Sequence, residues 1–306
     1  MIRTDRPHFL VAANSHPGET GKNNEDAFSV TSYQLEVGRT PSLLVVVADG
    51  IGGHQAGEVA AHLAVDTVVQ RVASSTGREP LAVLRAGVVE AGRAIQRAAA
   101  LSPDYEGMGS TIAIAWEIGG RLYTVSVGDS RIYLLRAGEL HRLTIDHTWV
   151  QEALDHGVIT PDEARGHPHA HVLRRHLGGQ QDPQPDQRLR LEANESDARS
   201  LANQGLVLRQ GDQILLCSDG LTDLVPDEEI RSILAAQPPA VSVPTLIDLA
   251  RARGGHDNIT VVAALVPAPP RRRRPALPVL LLASLLLLVV VAAGSLALLW
   301  LGLWPW

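Results

Sequence analysis

Five aspartates in this chain stand beside glycine, asparagine or a small polar residue at the end of an apolar run. They are Asp26, Asp49, Asp129, Asp219 and Asp257. A carboxylate at a strand end is rigidly placed, and a neighbouring glycine lets a ligand approach it closely. Each aspartate alone also fits a turn or a helix cap. Five in similar settings favour a site for a hard divalent cation, which prefers oxygen ligands from separate parts of a chain.

The sequence around these aspartates predicts the elements that hold them. Apolar runs predict strands at 9–13, 43–48, 111–116, 121–127, 131–136, 206–209, 213–217 and 258–265. Helical periodicity predicts helices at 57–72, 81–100, 227–236 and 244–253. The three closely spaced strands between 111 and 136 predict a meander of hairpins, so the sheet is at least partly antiparallel. Strands, then helices, then strands again indicate an α+β fold with helices outside packed sheets.

Two segments lack this regular pattern. Residues 144–179 are polar and helical, with breaks at Gly157, Pro161 and Pro168, and predict a small surface subdomain. Residues 180–205 are polar and without periodicity, which predicts a loop.

The end of the chain differs in composition from the rest. With 306 residues, 45% of them hydrophobic, the chain is long enough for one large domain and an appendage. Residues 275–306 carry no charge, and 277–303 are almost wholly apolar, long enough as a helix to cross about 30 Å of hydrocarbon. The predicted organisation is a globular domain at 1–266, a Pro/Arg-rich linker at 267–275, a single transmembrane helix at 276–303 and a short tail at 304–306. Arg271–Arg274 before the span predict a cell-membrane protein whose domain faces the cytoplasm.

The charge of the predicted domain limits its partners. Without the four arginines of the linker, the 27 basic residues fall to 23 against 33 acidic ones, a net charge of about −10. Such an acidic body argues against nucleic acid as a partner. The lone Cys217 can form no intramolecular disulfide, which agrees with a cytoplasmic domain.

Six short strings in this order resemble the motif series of the bacterial protein phosphatase 2C family, over about residues 8–266. They are Asn24-Glu25-Asp26-Ala27, Val47-Ala48-Asp49-Gly50-Ile51-Gly52-Gly53-His54, Gly109-Ser110-Thr111, Val127-Gly128-Asp129-Ser130-Arg131, Leu216-Cys217-Ser218-Asp219-Gly220-Leu221-Thr222-Asp223 and Gly255-His256-Asp257-Asn258-Ile259-Thr260. The resemblance implies a β-sandwich of two antiparallel sheets flanked by helices, with metal ions in a channel at one end.

The resemblance also implies a dinuclear metal core. Asp49 would bridge two Mn²⁺ or Mg²⁺ ions, and the carbonyl of Gly50 would bind one of them. Asp219 and Asp257 would complete that second position. The catalytic role of these aspartates would then be to hold ions that activate a water for attack on phosphorus, with no cysteine nucleophile and no phosphoenzyme.

Further family positions lie at the edge of this core. The resemblance implies that Glu25 and Asp26 act on the first ion, directly or through water. Asp129 with Asp219 would match a third, weaker metal position. Asp223 is expected to be structural.

One departure from the family concerns the substrate phosphate. Family members usually carry an arginine three residues before Asn24, where this chain has Gly21. The next residue, Lys22, is the only lysine in the chain. Either its point charge replaces the arginine in binding phosphate, or Lys22 is a solvated loop residue.

The other departures concern histidines. Some family members place a proton-donating histidine directly after the Asp-Gly pair, where Ile51 stands here. Two roles stay open for His54 nearby, a general acid or a residue that packs against or caps the following helix, and the intervening turn of backbone favours the second; a metal-bound or bulk water is the alternative acid. His167, His169 and His171 have the spacing of a chelating cluster, although their place in the polar segment favours no metal role.

Together these features predict a metal-dependent serine/threonine protein phosphatase, a hydrolase that opposes serine/threonine kinases at the membrane. Its expected partners are phosphorylated proteins, kinases and their substrates. Two alternatives stay open: a catalytically weak phosphoprotein-binding scaffold, and a phosphoesterase of the same fold for small molecules. Closely spaced carboxylates speak against the scaffold, because only a metal relieves their mutual repulsion.

Overall fold

The strand β4 (Pro41–Ile51) shows how the layers of the fold arise, because both of its faces are buried. Leu44 and Val46 pack against the helices α1 (Ala56–Ala73) and α2 (Pro80–Ala99). Leu43 and Val45, which alternate with them, pack against a second sheet. A strand that is apolar on both faces must be covered on both. The result is a sandwich in which each sheet carries helices on its outer side.

The computed structural model describes residues 1–52, 56–164, 166–268 and 279–302. Within them, the first sheet has the order β1-β3-β4-β6-β7-β10, and the short β5 pairs with β4. The second sheet has the order β2-β12-β11-β8-β9, and the pairings in both sheets are antiparallel. The strands other than β4 are β1 (Ile2–Thr4), β2 (Leu10–His16), β3 (Asp26–Gln34), β5 (Gly109–Ser110), β6 (Ile112–Ile118), β7 (Arg121–Val127), β8 (Arg131–Arg136), β9 (Glu139–Arg142), β10 (Leu206–Val207), β11 (Gln213–Cys217) and β12 (Ile259–Leu265). The predicted α+β fold of two antiparallel sheets flanked by helices is confirmed.

The outer side of the second sheet is covered by α7 (Asp227–Ala236) and α8 (Pro239–Ala252). Ile230 and Leu246 from these helices share a buried cluster with Leu215 and the buried Cys217 of β11. Short helices lie in the connections: α3 (Trp149–Asp155), α4 (Pro161–Ala164), α5 (Asp197–Ala202), α6 (Asp219–Thr222) and a 3₁₀ turn at Pro103–Tyr105.

The predicted meander of three strands is wrong in its last member. β6 and β7 form the expected hairpin, but β8 belongs to the second sheet, between β11 and β9. The turn between β7 and β8 includes Gly128 at φ +100°, and the chain changes sheets there. Sequential strands pair often but not always.

Three other predictions differ from the structure. β3 was not predicted, because its polar and apolar residues do not alternate regularly. The predicted loop at 180–205 contains α5, capped by the Ser196 hydroxyl. The helix predicted at 244–253 begins at Pro239 and includes Pro244 in its interior.

The chain forms two compact units, Met1–Pro267 and Ala268–Trp306. In the second unit, α9 occupies Val279–Trp300, and its side chains are described from residue 288 onward. Most of the predicted linker, with Arg271–Arg274, lies outside the described residues. Among the residues that are described, no helix reaches the length and hydropathy needed to cross a membrane.

Candidate metal centre

Asp26 and Asp49 lie opposite each other on neighbouring strands. Asp26 begins β3 and pairs with Asp49 near the end of β4. Opposed residues of an antiparallel pair point to the same face, with Cβ atoms about 5 Å apart. Thr111 fixes the Asp49 backbone, since its N–H donates to the Asp49 carbonyl at 2.8 Å and its hydroxyl accepts from the Asp49 N–H at 3.0 Å. The end of the first sheet thus presents two carboxylates side by side.

Asp219 and Asp257 come from the second sheet. Asp219 opens α6 just after β11, and Asp257 precedes β12, the neighbour of β11. The loops approach so closely that a Cβ at Gly220 would collide with the backbone carbonyl of Asn258. Glycine is needed at this position, and its absence of a side chain lets the two carboxylates share one cavity.

A hydrogen bond joins the ends of the two sheets. The Ser218 hydroxyl, beside Asp219, donates to Asp26 Oδ2 at 2.7 Å and accepts from the Thr260 N–H at 3.0 Å. Sequence reasoning missed Ser218, because its partner lies 192 residues away. Its only local signal is its place directly before Asp219.

Glu25 and Gly50 are held at the same edge. The Glu25 N–H donates to Asn258 Oδ1 at 2.7 Å, and the Gly50 N–H donates to the Glu25 carbonyl at 3.1 Å. A Cβ at Gly57 in α1 would collide with Glu25 Oε2, so the start of this helix lies directly against the carboxylate. The backbone therefore brings Glu25 next to the aspartates.

Asp129 follows β7 in the turn that leads to β8, and its side chain is mostly buried. The adjacent Ser130 hydroxyl lies 2.7 Å from the Thr111 hydroxyl, the group that also binds the Asp49 backbone. Asp129 and Asp49 are thus positioned through one shared threonine.

Burial raises the pKa values of Asp26, Asp49, Asp129 and Asp219, and the negative charge of neighbouring carboxylates adds to the effect. The pKa of Asp26 rises to about 7 and that of Asp219 to about 6. The pKa values of Asp49 and Asp129 lie well above the usual range for the same two causes. A bound cation would favour the ionised forms of these groups and lower their pKa values.

The cavity between the sheet ends has a volume of about 1130 Å³ and is lined by Glu25, Asp49, Asp129, Asp219 and Asp257 among others. Asp26 lies behind this lining. Within the described residues, Asp26 Oδ1 and Asp219 Oδ1 are buried without a hydrogen-bond partner. Buried acceptors without partners are costly, and the all-oxygen donor set suits Mn²⁺ or Mg²⁺. The residues present therefore fit a divalent metal centre.

Gly21 and Lys22 also line this cavity, and both are exposed. Gly21 has φ +72° with open space around its missing side chain. An arginine at this position would have room for its side chain, but residues other than glycine rarely adopt this backbone conformation. Lys22 is the basic side chain placed at the cavity instead.

The three histidines of the predicted cluster separate into two groups. His167 stacks on Trp149 with ring centres 4.8 Å apart, and His169 meets the same ring edge-on at 5.1 Å. His171 instead turns to the cavity, where its Nδ1 lies 3.4 Å from Asp223 Oδ2 and 4.0 Å from Asp219 Oδ2. Donor atoms of His171, Asp219 and Asp223 lie within 4.8 Å of one another and could hold an ion. His54 lies outside the described residues.

Comparison with known proteins supports the resemblance. The family model described as protein phosphatase 2C matches residues 15–246. Serine/threonine protein phosphatase PstP of Mycobacterium tuberculosis is 40% identical over 253 residues, covering 83% of this chain and 44% of PstP. This chain thus matches less than half the length of PstP. Protein phosphatase PhpP of Streptococcus pneumoniae is 35% identical over 260 residues, covering 80% of this chain and 92% of PhpP.

Solved structures agree with these relatives. The crystal structure of M. tuberculosis PstP is 39% identical with a TM-score of 0.70, covering 85% of this chain and 99% of that one. A PstP catalytic domain in complex with two manganese ions has a TM-score of 0.67, with the same identity and coverage. The S. agalactiae serine/threonine phosphatase is 30% identical with a TM-score of 0.72, covering 84% and 99%.

The fold is the two-sheet, helix-flanked fold of the solved serine/threonine phosphatases, and the acidic cavity lies at the ends of both sheets. The chain belongs to the protein phosphatase 2C family of bacterial serine/threonine protein phosphatases.

Proposed function

We propose that this chain hydrolyses phosphoserine and phosphothreonine in proteins by a metal-activated water. The observation that carries the proposal is the set of buried carboxylates around one cavity, with raised pKa values and unpartnered oxygens. The ionised forms of such closely spaced carboxylates repel one another, and bound cations would relieve this repulsion. The protein phosphatase 2C family and the manganese-bound PstP structure support the same assignment.

The core ligands of this proposal are those that the family resemblance implies. Asp49, which pairs with Asp26 and is influenced by the charge of Asp219, would hold two Mn²⁺ or Mg²⁺ ions together with the Gly50 carbonyl. Asp219 and Asp257 would bind from the second sheet. Bound ions would supply a Lewis acid that lowers the pKa of water and neutralises the phosphoryl group. The aspartates hold this arrangement rigid, so that the phosphate meets prepositioned charge.

The remaining residues act around this core. Glu25 and Asp26 would support the first ion, and Asp26 is oriented by the Ser218 hydroxyl. Asp129 with Asp219 would form a third position. Lys22, at the cavity lining, would bind the substrate phosphate as a point charge.

We infer a membrane location from the sequence of the second unit. Residues 277–303 are almost wholly apolar, and four arginines precede them. This pattern is typical of a single-pass anchor with the phosphatase domain in the cytoplasm. Tethering would raise the local concentration of the enzyme around membrane-bound kinases and their substrates. After cell fractionation and an alkaline wash, we expect the full-length chain in the membrane pellet and a chain ending at Pro267 in the supernatant; a full-length chain in the supernatant would contradict the anchor.

One assay tests the activity. Phosphate release from a phosphothreonine peptide is measured with the full-length chain in Mn²⁺, in EDTA, and with Asp219→Asn, using the exposed Asp66→Asn as a charge-matched control. We expect release in Mn²⁺ for the wild type and Asp66→Asn, and loss in EDTA and in Asp219→Asn. Activity that survives EDTA would falsify the mechanism. No activity under any condition favours a scaffold, and activity only on p-nitrophenyl phosphate favours a small-molecule phosphoesterase.

A further inference from the structure

His147 lies between β9 and α3, at the start of the polar segment 144–179, and its side chain is 5% exposed. Its ring makes one hydrogen bond at each nitrogen. Nδ1 accepts from the Gly128 N–H at 3.0 Å, and Nε2 lies 3.2 Å from Asp186 Oδ2. Because Nδ1 accepts from a backbone donor, the ring proton lies on Nε2 and is donated to Asp186.

A second hydrogen bond joins His147 to Gly128. The backbone N–H of His147 donates to the Gly128 carbonyl at 3.0 Å, so Gly128 is bound through both its N–H and its C=O. Gly128 has φ +100°, and a Cβ there would lie 2.6 Å from Thr111 Cβ. Only glycine fits this conformation and this space. Asp129 directly follows this hydrogen-bonded glycine.

Asp146 holds the other side of Asp129. Its carboxylate accepts from Arg131 Nη2 at 2.7 Å and from Arg131 Nε at 3.1 Å, in a pair that is largely buried. Asp146 and His147 are consecutive, so one dipeptide binds residues on both sides of Asp129. Because the chain is held on both sides of Asp129, less entropy is lost when its carboxylate binds an ion.

Asp186 is itself held in place. Its backbone exchanges two hydrogen bonds with Ser126 at 2.9 and 3.0 Å, and its carboxylate accepts from Arg188 Nε. Burial acts to raise the pKa of Asp186, but hydrogen bonds from His147 and Arg188 hold that pKa well below its usual range. The carboxylate stays ionised and accepts the Nε2 proton. The segment 180–205, predicted only as a loop, thus fixes the tautomer of a histidine next to the metal centre.

We propose that His147 is a positioning residue for the metal centre: through its Nδ1 bond to Gly128 it sets the Asp129 carboxylate for a divalent cation, and Asp186 keeps Nδ1 free to accept. This inference rests on the proposed role of Asp129 as a ligand. Residues that orient metal ligands typically contribute about 10- to 100-fold to metal affinity.

The test measures Mn²⁺ binding to the full-length chain by electron paramagnetic resonance of free Mn²⁺. His147→Phe removes both ring nitrogens at similar volume, whereas His147→Asn keeps an acceptor oxygen near the Nδ1 position. His141→Phe is the matched control, because His141 on β9 bonds the Leu191 carbonyl and lies outside the cavity lining. Asp129→Asn, alone and with His147→Phe, shows whether the two residues act through one site.

We expect the weakest Mn²⁺ position to bind about tenfold more weakly in His147→Phe, and His147→Asn and His141→Phe to resemble the wild type. In the Asp129→Asn background, His147→Phe should have no further effect, which a general loss of stability would not reproduce. If His147→Phe does not fold, Asp186→Asn takes its place, because its amide can donate to Nε2 and favour the wrong tautomer.

Wild-type affinity in His147→Phe, or full additivity with Asp129→Asn, would overturn the positioning role. An equal loss in His147→Asn and His147→Phe would also overturn it, because the acceptor would not be the cause. Wild-type Mn²⁺ binding in Asp129→Asn alone would overturn the ligand role of Asp129 and, with it, this inference. Failure of the metal centre as a whole would be seen separately, as no Mn²⁺ binding by the wild type.

Discussion

Asp26, Asp49, Asp129 and Asp219 lie where burial and the neighbouring acids disfavour the charged form of each side chain. Asp26 illustrates this, because burial raises its pKa to about 7 while the Ser218 hydroxyl orients one of its oxygens. The other oxygen is buried without a partner among the described residues. A group in this state gains more from a cation than an exposed carboxylate does, since its solvation has already been lost.

Lys22 is the residue whose role is least constrained by the fold, and its substitution gives a specific result. We expect Lys22→Ala to raise KM for a phosphothreonine peptide several-fold with little change in kcat, because phosphate binding is lost while the carboxylates remain. Lys22→Arg should stay near the wild type, since it keeps the charge. Arg85→Ala, which removes an exposed cation from α2, serves as the control. An unchanged KM in Lys22→Ala would show that Lys22 is a solvated loop residue.

At the scale of elements, the site exists because strand and helix ends from two sheets meet. β3 and β4 bring Asp26 and Asp49, and the ends of β11 and β12 bring Asp219 and Asp257. The start of α1 closes the edge against Glu25. A change at the start of α1 should therefore alter metal binding.

Gly57 offers a test of this kind, because a Cβ there would collide with Glu25 Oε2 and lie 3.0 Å from the backbone carbonyl carbon of Gly50, two groups expected to act at the metal centre. We expect Gly57→Ala to raise the Mn²⁺ concentration for half-maximal activity about tenfold. The control is Gly87→Ala in α2, whose Cβ would meet Arg71 Cβ at 3.4 Å, an ordinary contact. Equal Mn²⁺ requirements in the two variants would argue against the helix start as part of the site.

The same scale shows what local sequence can and cannot predict. β7, β8, β11 and α7 have the predicted bounds, because their apolar periodicity is a local property. The sheet to which β8 belongs was predicted wrongly, since pairing depends on the turn at Gly128 and on distant strands. The aspartates were predictable from residue type and neighbouring glycines. The bonds from Ser218 to Asp26 and from His147 to Asp186 were not, because each joins segments far apart in the chain.

At the scale of the whole molecule, the layered sandwich buries a cluster of acids that oppose one another. Without metal, this arrangement costs stability whenever the acids ionise. Asp26 has a pKa of about 7 in the folded chain, against about 3.9 for an aspartate in an unfolded one. The folded state therefore binds more protons between these values, and its stability falls as the pH rises through about 7.

We accordingly expect the metal-free chain to unfold at a lower urea concentration at pH 8 than at pH 5, measured by circular dichroism in EDTA. Groups with lowered pKa values, such as Asp186, titrate below this window and do not reverse the trend. Added Mn²⁺ should reduce the difference, and Asp26→Asn should reduce it without metal, because the amide mimics the protonated acid. Greater stability at pH 8 in EDTA would contradict this view of the buried acids.

The most direct test of the metal centre counts its ions in the full-length chain after desalting, together with the rate of phosphate release from a phosphothreonine peptide. The wild type and Asp66→Asn should retain about two Mn²⁺ per chain, the number held by the PstP catalytic domain, and should be active. Asp49→Asn, which removes the carboxylate opposite Asp26 on the first sheet, should lose both the ions and the activity. An Asp49→Asn chain that keeps its Mn²⁺ and hydrolyses the peptide at the wild-type rate would contradict the proposed metal centre.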